Sequence, residues 1–197
     1  MRFFFELRRK SFHFSGLLIP IGYYIIPEPL GKTLLLIATL FGLTIDVIRL
    51  NEPRVRTVFY YLFGKMVRDH ERHSLLGSTY VLLASLICVW AFERPIAIVA
   101  IAFLPVGDGL AAVVGRRFGR VKIFDKSLEG SLACFFSCLL VGLLYPGDPF
   151  LRPSDPFTWT MLVGGALVAT IFELVPMPLD DNLRISLSAG FAMSLLG

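Results

Sequence analysis

Residues 105–131 read PVGDGLAAVVGRRFGRVKIFDKSLEGS, and this stretch decides the fold. It opens inside an apolar run, places Asp108 there, and ends in a basic, glycine-rich loop. A carboxylate at mid-bilayer depth costs about 2.5–3.5 kcal/mol even on the lenient insertion scale, which argues against a bystander role for Asp108. The glycines and cations beside it, Gly115-Arg116-Arg117-Phe118-Gly119 and Lys126-Ser127-Leu128-Glu129-Gly130-Ser131, suggest phosphate and metal chemistry at a membrane surface.

Working outward, the composition fits that setting. The 197 residues are 55% hydrophobic and only 17% charged, whereas a soluble domain carries about a quarter charged residues. The length suits a single membrane-embedded domain, 1–197, with an all-α fold: a polytopic helical bundle of six or seven transmembrane helices and a short interfacial helix. Cys88, Cys134 and Cys138 all fall in apolar stretches without CxxC spacing and read as buried small hydrophobes. No small-residue cleavage site follows the first apolar run, so a cleaved signal is not expected.

Apolar runs lie at 12–27, 31–50, 76–93, 95–115, 128–145, 157–176 and 183–196. The first and last are short for a span. Prolines 27, 29, 95, 146, 149, 156, 176 and 178 mark run ends, whereas Pro105 interrupts the fourth run and predicts a broken or kinked helix. With the N-terminus cytoplasmic, only Lys32, Arg94 and Arg152 of the 19 Lys and Arg residues fall outside. The positive-inside rule therefore puts the N-terminus and the Asp108 segment on the cytoplasmic side. Orientation accounts for the net charge of +4, so no nucleic-acid partner is expected. In the inner loop 51–75, Val58, Phe59, Leu62, Phe63 and Met66 recur at helical spacing, as in a helix lying in the interface.

Several constellations on that inner side could carry chemistry. Gly107, Ala111 and Gly115 form a small-residue stripe that admits another backbone. Ser127 is placed to cap the next helix, whose free N–H groups would attract an anion alongside Lys126. An ordinary positive-inside loop with a capped helix is the plainer reading. Asp46 and Arg49 stand one turn apart and form at least an i,i+3 ion pair. Glu173 follows Gly165 and Ala169 on a helical stripe. Asp180, Asp181 and Asn182 could favour a helix start or, with phosphates, hold Mg²⁺. Arg8, Arg9, Lys10 and His13 could bind anionic lipid heads or nucleotide phosphates, or serve only as an orientation signal. His70 and His73 lack the spacing of a zinc site.

Together these residues resemble the CTP-dependent lipid kinases, the group of dolichol, phytol and yeast-type diacylglycerol kinases related to the membrane cytidylyltransferases. The resemblance runs from Glu6-Leu-Arg-Arg-Lys-Ser-Phe-His13 through Asp46-Val-Ile-Arg49 and Gly77-Ser-Thr-Tyr80 to Gly107-Asp108-Gly109. It continues in Gly115-Arg-Arg-Phe-Gly119, Lys126-Ser-Leu-Glu-Gly-Ser131, Glu173 and Asp180-Asp-Asn-Leu183. One departure concerns the last helix, where the family has an apolar residue or threonine and then proline after Asp-Asn-Leu, and Arg184-Ile-Ser186 stands here.

The resemblance implies transfer of the CTP γ-phosphoryl group to the hydroxyl of a membrane lipid alcohol (a polyprenol, a phytol-like alcohol or diacylglycerol), with Mg²⁺. Asp108, Asp180 and Asp181 are then expected to include metal ligands. Arg9, Lys10, Arg116, Arg117, Lys126, Ser127, Gly130, Ser131 and Asn182 are the expected nucleotide and phosphate contacts. Asp108 or Glu173 would orient or deprotonate the alcohol, with His13, Asp46 and Arg49 in support. A CTP:lipid-phosphate cytidylyltransferase is the alternative, and a small ion-coupled transporter a more distant one. The expected partners are the lipid alcohol, CTP and the bilayer, and a homo-oligomer is allowed.

Overall fold

Prolines, capping hydroxyls and apolar runs set the helix ends. The structure is a computed structural model and describes residues 14–64, 67, 70–145 and 157–197. A 3-10 turn at Ser15–Leu17 leads into α1 (Leu18–Ile25). α2 (Glu28–Asn51) and α3 (Pro53–Phe63) each carry proline in the first turn, where its missing N–H costs nothing. α4 (Gly77–Ala91) is followed by α5 (Arg94–Phe103), again started by proline. The chain then runs through a π turn, Leu104–Asp108, into α6 (Gly109–Phe118). The strands β1 (Lys122–Ile123) and β2 (Lys126–Ser127) form a small antiparallel hairpin. The fold is completed by α7 (Leu128–Leu144), α8 (Trp159–Leu174) and α9 (Asp181–Leu196). Ser127, Thr158 and Asp180 cap these last three helices with their side-chain oxygens.

The interruption at Pro105 is therefore a π turn rather than a break. α5, the turn and α6 form one rod of 25 residues, Arg94–Phe118. Residues Ile96 to Phe103 are all buried. α1, α4, α7, α8 and α9 pack around this rod, and its Phe103 and Leu104 join Cys138, Leu162, Ile185 and Met193 in the main core. The three cysteines are buried free thiols, as their apolar settings predict. The outer helices turn large apolar side chains outward instead; α2 alone exposes Leu30, Leu34, Ile37, Leu40 and Phe41. A surface this apolar suits lipid, not water.

The all-helical, membrane-type fold is as the sequence predicts, but six or seven crossings do not follow from helix length. Among the described residues two helices, Glu28–Asn51 and Arg94–Phe118, are long and apolar enough to cross a membrane. The former is 24 residues, or about 36 Å at the α-helical rise. α4, α7 and α8 have 15, 17 and 16 residues, short of the roughly 20 that a full crossing takes.

Asp46 and Arg49 do more than pair along their helix. Both are 0% exposed. Arg49 donates to Asp46 Oδ1 at 3.0 Å, to the Glu71 and Ser74 carbonyls at 3.0 and 2.8 Å, and to the Tyr60 hydroxyl at 3.0 Å. Asp46 Oδ2 accepts from Leu76 N at 2.9 Å and from the Thr79 hydroxyl at 2.6 Å. This cross-link staples α3, the 70–76 segment and the start of α4 to the C-terminal end of α2. Within α3, Val58, Leu62 and Phe63 are exposed, whereas Phe59 folds back over the Arg49 guanidinium, and Met66 lies outside the described residues.

Candidate active site

The site begins where two backbones touch. A Cβ on Gly130 would lie 2.8 Å from the Ala111 carbonyl oxygen and 3.2 Å from Gly115 Cα. Gly107, on the same stripe, abuts the sulfurs of Cys134 and Cys138. The stripe thus seats α6 against α7. We expect Gly130→Ala to force these helices apart and cost about 1–3 kcal/mol, read as a lower unfolding temperature in detergent. An unchanged temperature would show that the contact is slack.

Between α6 and α7 the hairpin turns through Phe124 and Asp125, with Phe124 held at a φ of 53°. That left-handed conformation is strained for a bulky residue. Glu129 clips the hairpin entrance by accepting from Arg120 N at 2.9 Å and Val121 N at 3.2 Å. The antiparallel register directs Lys126 toward the ends of α8 and α9. Its Nζ lies 2.7 Å from Glu173 Oε1 and 3.6 Å from Asp181 Oδ2, and it also donates to the Glu173 carbonyl.

Around this junction lies a cavity of about 230 Å³. Asp108, Asp125, Glu173 and Asp181 supply its acids, and Arg116, Lys122 and Lys126 its cations. Gly115, Gly130, Ser127 and Ser131 form the small, polar wall. Both hydroxyls also serve α7: Ser127 Oγ accepts from Gly130 N at 3.2 Å, and Ser131 donates to the Ser127 carbonyl at 3.3 Å. Glu173 is 3% exposed, and its Oε2 is buried without a hydrogen-bond partner among the described residues. An ionisable oxygen left so is costly unless a ligand or proton satisfies it.

The tertiary structure thus gathers Asp108, Glu173, Asp181, Arg116, Lys126, Ser127, Gly130 and Ser131 from the residues that the sequence singles out. Arg117 is not in the lining, and its guanidinium sits over Phe118. Asp180 and Asn182 are not in it either. Asp180 Oδ1 is occupied at the helix cap, accepting from Asn182 N and Nδ2 at 2.9 and 2.8 Å. Asp46 and Arg49 stand apart, in the staple described above. Arg9, Lys10 and His13 lie outside the described residues. Lys122 and Asp125 are additions. They sit in the quoted stretch, but a two-residue hairpin has too short a pattern to show which side chains turn inward.

Among the described residues no three His, Cys, Asp or Glu side chains are gathered so as to hold a metal ion by themselves. Mg²⁺ seldom asks for that; it is commonly held by one or two carboxylates together with substrate phosphates and water. Asp108 and Asp181, which line the cavity beside its cations, fit such a shared site.

No family model and no solved structure matches the chain. Curated proteins do. The chain is 30% identical over 209 residues to CTP-dependent diacylglycerol kinase 1 of Schizosaccharomyces pombe, spanning 97% of this chain and 93% of that protein. An uncharacterised protein of Rickettsia prowazekii is 29% identical over 191 residues, covering 94% of this chain and 92% of its own. A probable chloroplastic phytol kinase of Triticum aestivum is 35% identical over 147 residues, which is 68% of this chain but 49% of that protein. A helical membrane protein with these relatives is an enzyme, a lipid phosphotransferase. The chain belongs to the CTP-dependent lipid kinase family.

Proposed function

We propose that the cavity binds the phosphates of CTP with Mg²⁺ at the cytoplasmic membrane surface and passes the γ-phosphoryl group to a lipid hydroxyl. Diacylglycerol is the first candidate acceptor, because the diacylglycerol kinase relative matches over nearly its whole length. The observation that carries the reading is the convergence of four acids and three cations on one small cavity lined by Gly115 and Gly130. About 230 Å³ suits a phosphate tail, whereas pockets that enclose a whole drug-sized ligand run to roughly 300–1,000 Å³. The nucleoside would then lie toward the open, cytosolic side.

Phosphoryl transfer asks chiefly for position and for neutralised charge. Arg116 and Lys122 supply cations for the phosphates, and Lys126 reaches them from its place between Glu173 and Asp181. Asp108 and Asp181 would hold Mg²⁺, which would offset the negative charge of the phosphates. Glu173 Oε2, buried and without a partner among the described residues, would accept the proton of the lipid alcohol. The acceptor arrives along the bilayer and the nucleotide from water, which accounts for a site at the membrane boundary.

The test is purified protein in lipid micelles with Mg²⁺, γ-labelled CTP, and diacylglycerol, phytol or polyprenol. Label entering one lipid with release of CDP is the expected result. Pyrophosphate release on addition of a lipid phosphate, with no labelled lipid, would replace this reading with a cytidylyltransferase.

A further inference from the structure

Arg184 is a buried cation in a doubly unfavourable place. It lies in the first turn of α9, where the helix dipole opposes positive charge, and it is only 5% exposed. It does not line the cavity, so no phosphate contact compensates it. Its compensation comes from the site's own scaffold. Nη2 lies 2.6 Å from Asp181 Oδ1, Nη1 donates to the Val175 carbonyl at 2.6 Å, and Nη2 also reaches the Glu173 carbonyl at 3.5 Å. Nε has no partner. One guanidinium therefore ties the last carbonyls of α8 to the first turn of α9, across a connection that contains Pro176 and Pro178.

We propose that Arg184 is a positioning residue that sets the divalent-cation affinity of the cavity by holding Asp181. The proposal rests on the reading of the cavity as the Mg²⁺–CTP site. Asp181 is 43% exposed and has two cations within reach. Arg184 takes Oδ1, which leaves Oδ2 on the cavity side, 3.6 Å from Lys126 Nζ. Without Arg184, Asp181 swings onto Lys126, and the cavity loses a free carboxylate oxygen together with a cation for the phosphates. Arg184 also opposes a metal ion by simple repulsion. The repulsion is the smaller effect, because Arg184 contacts the oxygen that points away from Lys126 and its charge is already paired. Removing a group that orients a metal ligand typically costs about 10–100-fold in metal affinity.

The experiment is a Mn²⁺ titration of the full chain in detergent, followed by electron paramagnetic resonance with and without CTP and in the absence of lipid. Wild type, D181N, R184Q and R184K are compared, with circular dichroism as the check on folding. R184Q is expected to bind Mn²⁺ about 10–100-fold more weakly, close to D181N, and to raise the KM for Mg·CTP but not that for lipid. R184K keeps the charge but cannot span a carboxylate and two carbonyls, so it should recover part of the affinity. Should R184Q not fold, R184K decides alone: weakened binding supports the proposal and wild-type binding overturns it. Wild-type or tighter Mn²⁺ affinity in folded R184Q, with D181N weakened, overturns it and leaves the cavity reading standing. A wild-type protein that binds no Mn²⁺ removes the cavity reading, and this inference with it.

Discussion

Asp108→Asn should lower the rate of lipid phosphorylation by about 10²–10³-fold, the usual cost of removing one electrostatic stabiliser from a preorganised site. The π turn at Leu104–Asp108 ends on this residue and delivers it to the cavity wall, half-buried, at the start of α6. Single π turns inside helices often mark functional positions, and a charge so placed is costly unless it is used. Asparagine keeps the shape and removes the charge, so the fold should survive with an unfolding temperature no lower than wild type. That pairing of a stable protein with a dead enzyme is the diagnostic outcome. A variant retaining more than a tenth of the wild-type rate, at saturating CTP and lipid, would remove Asp108 from the reacting centre.

The second large effect is on stability and lies away from the cavity. Arg49→Met should destabilise the protein by about 3–5 kcal/mol, the usual cost of stripping one partner from a buried ion pair. Asp46 would keep its bonds from Leu76 and Thr79 but lose its counter-charge at 0% exposure. The Glu71 and Ser74 carbonyls would lose their donor as well. Replacing both members should hurt less, because an apolar pair of similar volume leaves no uncompensated charge. The check is thermal unfolding of R49M and of D46L/R49M in the same detergent. R49M should melt far below wild type and the double variant between the two. A double variant as unstable as R49M would mean that the carbonyl contacts, not the ion pair, carry the staple.

The staple also reaches toward the site. Glu71 Oε1 accepts from Gly77 N at 3.0 Å. A Cβ on Gly77 would lie 3.1 Å from that oxygen and 3.2 Å from Asn182 Nδ2. The 70–76 segment and the first turn of α9 therefore meet at one glycine, which explains a glycine at the head of α4 on packing grounds alone.

Much of the site was legible because it is local. Asp108, Gly115, Arg116, Lys126, Ser127 and Gly130 lie within a single stretch of sequence, and one small-residue stripe with one helix cap suffices to bring them together. Asp180 and Asp181 look equivalent as neighbours in sequence. The helix start separates them, because the cap takes Asp180 while Asp181 lines the cavity. Arg184 stood out in the sequence only as an unexpected residue after Asp-Asn-Leu. Its contacts depend on where α8 ends, and no periodicity in its own helix reveals that.

The sequence by itself determined the helical membrane class, the helix boundaries and the uneven spread of charge. Hydropathy, proline and capping act over a few residues, so they can be read directly from the order of residues. Only the tertiary structure decided that Lys126 meets Glu173 and Asp181, that Arg49 holds a loop some twenty-five residues away, and that a π turn carries Asp108 to its place. Those contacts are settled by how α2, α3 and α4 pack at one place and α6, α7, α8 and α9 at another, and packing depends on the fit of surfaces that lie far apart along the chain.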